Sequence, residues 1–217
     1  METGRVEQAG ARAGALSAPT VRLGASIAVG AIAGAAWSAA LRAYMAEIAG
    51  SESHVDWLRT FVGILLPGML VGAAIGASAG LDPSTRRGRV ALRWCSLSVL
   101  LLALVPMLLP GQLWALLMTG LGGGAVAVAL GGLAGGYALG GGRRWLRLVC
   151  IVPALVLVVG IPASVPAIGG DALAPTSPRG VWVMLLAATL MVVLMAAVAI
   201  PFRRLRAIPS STVRTAP

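Results

Sequence analysis

The 217 residues carry a formal charge of +10, yet only 11% are charged and 58% are hydrophobic, with a mean hydropathy of +0.91. Soluble domains average about 25% charged residues, so this composition excludes an ordinary soluble globule and points to a membrane helix bundle. The basic charge does not point to nucleic acid either. It is all arginine, and it falls between apolar runs, at helix ends, where it sets orientation and meets anionic headgroups.

Residues 1–22 are small, polar and mildly basic, and read as a disordered tail. The first expected span covers residues 23–49. Gly30 and Gly34 form a GxxxG pair that lets a neighbouring helix approach closely. Trp37 and Tyr44 flank the far border as interface anchors, with Arg42 within snorkelling reach of headgroups. Gly50 is a natural stop, and Ser51 or Ser53 is placed to cap the next helix.

The second span covers residues 55–81. Gly68, Gly72, Gly76 and Gly80 recur every four residues and form one flat packing stripe. Pro67, just before them, frees a backbone carbonyl and bends the helix. A basic loop follows, then a leucine-rich span over residues 94–109 that ends in prolines. The fourth span, residues 113–139, is glycine-rich, and Gly122, Gly123 and Gly124 fall near mid-membrane, either as a tight contact that keeps the helix unbroken or as a break that would form a binding point. Residues 148–168 and 181–202 make the last two spans, and residues 203–217 are a basic tail.

Six spans put both termini on one side. Fourteen of the seventeen arginines then share that side, and three, Arg42, Arg59 and Arg179, lie opposite. The positive-inside rule makes the arginine-rich side cytoplasmic, in the cell membrane. The expected fold is therefore an all-α, six-helix transmembrane bundle with both termini in the cytoplasm. A faint echo links the second and third spans to the fourth and fifth, each pair running glycine-rich helix, arginine turn, Arg-Trp, aliphatic helix; it is the pattern a parallel repeat would leave.

Three features bear on function. Arg42, Glu47, Glu52, His54, Asp56 and Arg59 gather at the non-cytoplasmic face, either as a ligand-binding cluster or as an ion-paired turn in which Glu47 or Asp56 neutralises Arg42. The spacing fits no metal site; Cys95 and Cys150 fit none either, and no cofactor or catalytic set is assigned. The letters Gly-Ala-Ser-Ala-Gly around Ser78 match a nucleophile elbow, but the serine sits in an expected membrane helix, far along the chain from His54. No charge falls mid-span, which argues against ion-coupled transport.

The expected function is that of a small permease, or the membrane subunit of a transporter, for a neutral or lipid-like solute. One alternative is a non-transporting scaffold or regulatory partner docking through the glycine ladder of the second span; another is an enzyme using the acidic turn. The expected partners are the bilayer's anionic headgroups and a membrane protein or second copy, with no nucleic acid.

Overall fold

Inside a bilayer no water is present to satisfy backbone amides, so a chain this apolar closes its hydrogen bonds within helices. The computed structural model describes residues 3–109 and 121–207; among these there are helices and turns and no strand. Six helices are long and apolar enough to cross a membrane. They are α1 (Thr3–Ala49), α2 (Trp57–Ser78), α3 (Arg86–Leu108, with a 3₁₀ turn at Ser98–Leu100), α4 (Leu121–Gly140), α5 (Arg144–Gly169) and α6 (Pro178–Arg206).

Several boundaries differ from those expected. α1 begins at Thr3, so the segment read as a disordered tail continues the helix. Extending an existing helix avoids the cost of nucleation, and the tail is rich in alanine. α3 begins at Arg86, eight residues before its expected start, because Thr85 caps it by accepting the N–H of Gly88 (3.0 Å). α6 likewise starts at Pro178, with Ser177 accepting from Gly180 (2.9 Å). At the end of α1, Gly50 adopts a left-handed φ of 56°, which glycine reaches without the steric cost a Cβ would add. Ser51 and Ser53 do not cap α2; Asp56 does, accepting the N–H of Arg59 (2.6 Å).

α2 changes register at its proline. Over Trp57–Leu65 it is a π-helix, and the N–H of Leu66 still bonds five residues back to Phe61. Pro67, the next residue, has no N–H to donate, so the change to α-helical pairing over Leu66–Ser78 falls where a bond is already missing.

The centre of the bundle is α6, of whose apolar window 44% is buried, against 6% for α1 and 11% for α5. Its residues enter every core cluster: Val183, Ala187 and Leu190 pack with Tyr44 and Val165; Leu194 and Val198 with Val71, Val99 and Leu102; Met191 and Met195 with Ala154. Trp37 and Tyr44 therefore are not interface anchors. Tyr44 is buried in the first cluster, and Trp37 packs against the first two while its indole N–H donates to the Leu190 carbonyl (2.9 Å). Both lie on the side of α1 that meets α6. Among the described residues the exposed tryptophans are Trp57 and Trp182 toward one end and Trp94 and Trp145 toward the other, as two interfacial belts require.

The most extensive helix pair is α1 with α2. A methyl group built on Gly30 or Gly34 falls onto the carbonyl oxygen of Gly72 or Gly68, and one on Gly76 falls onto that of Ser26. The backbones touch, so Cα–H groups face carbonyls across the seam. Gly80, the last rung, meets only the side chain of Leu23. α4 packs on α6 by a looser version of the same device. There Gly135 and Gly136 face Met195 and Val198, and Gly140 approaches the backbone of Ala199.

Candidate functional site

Charge is segregated between the two ends of the bundle. At one end Leu23 meets Gly80, and Arg204 reaches the end of α2; the turns carrying Arg86, Arg87, Arg89, Arg143, Arg144 and Arg147 and the end of α6 lie there too. Two of the arginines at this end close helices. Arg204 donates to the Ala79 carbonyl and, at 3.3 Å, to that of Leu81, capping α2. The Arg147 Nε donates to the Ala138 carbonyl (2.8 Å) and caps α4. A cation at a helix C-terminus meets the negative end of the helix dipole and its unpaired carbonyls. Arg204→Ala should therefore cost about 0.3–1 kcal/mol. Hydrogen exchange checks this: protection should drop over the last turn of α2 and stay unchanged in α3.

In the turn between α2 and α3, Asp82 accepts from both the N–H (2.9 Å) and the hydroxyl (2.7 Å) of Ser84. The backbone bond first, then the hydroxyl, hold its carboxyl below the usual carboxylate range. The order this turn gains from the charged carboxylate is present above the ordinary pKa and is lost as pH falls through the lowered one.

The other end holds the acidic turn, and its pairings are not those expected from the sequence. Arg42 reaches no acid among the described residues. Its Nη1 donates to Ser53 Oγ (2.9 Å) and its Nη2 to the His54 carbonyl (2.6 Å), tying the loop after α1 back onto that helix. Glu47 instead accepts from Arg179 Nε (2.8 Å), at the start of α6. Asp56 pairs with Arg59, three residues on, at 3.8 Å. The structure thus brings Arg42 to the backbone of His54, and Glu47 to Arg179, 132 residues away, which the sequence places on the same face but outside the cluster. Both ion pairs are largely exposed, where such pairs contribute about 0–1 kcal/mol each. Glu52's side chain lies outside the described residues, and among those described no cluster of metal-binding side chains occurs. His54 is exposed.

Ser78 lies in the half of the molecule away from this turn. It is buried near the end of α2 with its hydroxyl donated to the Ile75 carbonyl (2.5 Å). α4 is regular through Gly122, Gly123 and Gly124, so no break falls between these three and Gly140; residues 113–120 of the expected span lie outside the described residues. Gly123 and Gly124 are exposed, with nothing within 4 Å of an added methyl among the described residues.

Between α1, α4, α5 and α6 the space left open is about 20 Å³, walled by Trp37, Tyr44, Val128, Ile161, Leu190 and Met191. That is the size of a single water, but the void's surface is apolar and the indole N–H of Trp37 is already bonded. Ser38 supplies a polar group the sequence reading missed. It is fully buried at the α1–α2 seam, its hydroxyl against Gly68 with no hydrogen-bond partner. Compared with known protein families, curated proteins and solved structures, the chain matches none.

Proposed function

We propose that this multi-pass membrane protein works by association, as a non-conducting subunit or regulatory partner in a larger membrane assembly or as a homo-oligomer. Its arginine-rich end would face the cytoplasm of a cell whose plasma or inner membrane it occupies. The observation that carries this reading is that, among the described residues, the void enclosed by α1, α4, α5 and α6 is only about 20 Å³ and apolar. A solute path needs a continuous cavity with groups that replace the solute's hydration. The surface for association is not the α2 glycine ladder, since α1 covers it. The outward faces of α1 and α5, the two least buried spans, are the ones left for a partner.

Purification in mild detergent with cross-linking tests the proposal. A native mass above the 21.9 kDa of one chain, from a partner or a second copy, is expected, together with neutral-solute flux in proteoliposomes at the protein-free background. A monomer that raises flux would refute it. That result would favour the second reading, a small permease for a neutral or lipid-like solute. One observation supports that alternative: the π-helical stretch before Pro67, together with Pro153, Pro162 and Pro166 inside α5, gives two spans weakened backbone pairing.

A further inference from the structure

We infer that the first turns of α3 form a site for one anionic phospholipid, its phosphate between Arg86 and Arg87 and its upper acyl chain against Val90 and Trp94. This goes beyond the association reading and does not depend on it.

Arginines at the basic end are not all alike. Arg147 and Arg204 are taken up capping helices, and Arg89 donates to the Ser84 carbonyl (2.9 Å). Arg86 and Arg87 make no hydrogen bond or ion pair among the described residues. The acid of the same turn, Asp82, directs its carboxylate to Ser84.

Their position is also electrostatically unfavourable while empty. Both stand in the first turn of α3, which has no acidic residue, so two cations add to the positive end of the helix dipole. Exposed Arg93 lies on the same helix. An anion between Arg86 and Arg87 relieves that pair and the helix dipole together, and guanidinium groups bind phosphate oxygens in a fork.

What distinguishes a lipid from a free anion is the rest of the wall. Arg86, Arg87, Val90, Ala91 and Trp94 lie along one open face of α3, with the arginines at its start and the apolar side chains below them. Trp94 is 69% exposed, and Val90 and Leu97 are exposed beside it. From Arg87 to Trp94 is about 10 Å along the helix at about 1.5 Å per residue. The headgroup layer of one leaflet is roughly 5–7 Å thick. With the indole at the boundary of headgroups and tails, where tryptophan partitions, the backbone of Arg87 stands just outside that layer, and its long side chain must fold back along the helix to meet a phosphate.

The test uses the full chain released from nanodiscs containing phosphatidylglycerol and phosphatidylcholine, with retained lipid counted by native mass spectrometry. Wild type should keep phosphatidylglycerol in preference to phosphatidylcholine. The double variant Arg86→Gln/Arg87→Gln should hold it about thirtyfold more weakly. Arg143→Gln/Arg144→Gln, which removes the same charge from the neighbouring turn, should change retention by less than about threefold. Trp94→Ala keeps every charge and should also lower retention. Equal losses in the two arginine doubles would mean diffuse surface charge and overturn the site. So would equal retention of phosphatidylcholine, full displacement by inorganic phosphate, or an unaffected Trp94→Ala.

Discussion

Gly72→Leu should leave no folded protein to recover in mild detergent, and Gly72→Ala should already destabilise the bundle by about 2–3 kcal/mol or more. A methyl group there falls onto the Gly30 carbonyl and close to the Cα of Gly34. Neither neighbour can rotate away, because both are backbone within a helix. In a bilayer, lipid tails are as apolar as the helices, so α1 and α2 gain little from burial and depend on close packing. Separating them by the width of a side chain removes that gain along the whole seam. The prediction becomes sharper as a series. At Gly131 the added methyl meets Leu157 Cδ1 and Met191 Cε, ends of flexible side chains, so Gly131→Ala should cost under about 1 kcal/mol. At Gly123 it meets nothing, and a helical alanine is better than glycine by roughly 0.5–1 kcal/mol, so Gly123→Ala should stabilise. Unfolding of the three variants in detergent, followed by circular dichroism, reads the order. A destabilised Gly123→Ala or a tolerated Gly72→Ala would contradict the packing account.

What could be read from the chain follows from which forces are local. Six spans were legible because hydropathy and the arginine turns each act within a few residues. The glycine seam was half legible. Gly30 and Gly34 in one helix and Gly68, Gly72 and Gly76 in the next share a spacing of four, and consecutive helices in a hairpin are natural neighbours, yet the ladder was read as open to an outside partner. The acidic turn was legible as a cluster and not as a set of bonds. Glu47's partner is Arg179, brought over by the packing of α6, and Arg42 finds backbone and hydroxyl acceptors that charge counting does not weigh. The start of α3 was misplaced for a related reason. Hydropathy sees where the apolar layer begins, while Thr85 sets where the helix begins, two turns earlier in water. Trp37 was misread because tryptophan near a charged border is usually interfacial; only the facing of α1 against α6 separates an inward indole from an outward one.

Trp37 should be the side chain whose truncation costs most outside the glycine seam. It packs against two of the three core clusters and forms one wall of the void of about 20 Å³. Trp37→Ala removes the indole from that wall and merges the void with the space left behind. By the scale of buried aromatic truncations the loss is about 3–5 kcal/mol. Trp37→Phe separates volume from hydrogen bonding. It keeps most of the ring and removes only the donor to Leu190. Interhelical bonds of this kind contribute roughly 0.6–2 kcal/mol in membranes, and the low end applies here. The Leu190 carbonyl lies inside α6 and keeps its helical bond, so no acceptor is left bare. Unfolding midpoints in detergent should thus fall steeply for alanine and slightly for phenylalanine. Equal losses in the two would mean that α1 is held to the central helix by one directed bond and not by the fit of the ring. The clusters on either side of Trp37 would then tolerate rearrangement that their close packing argues against.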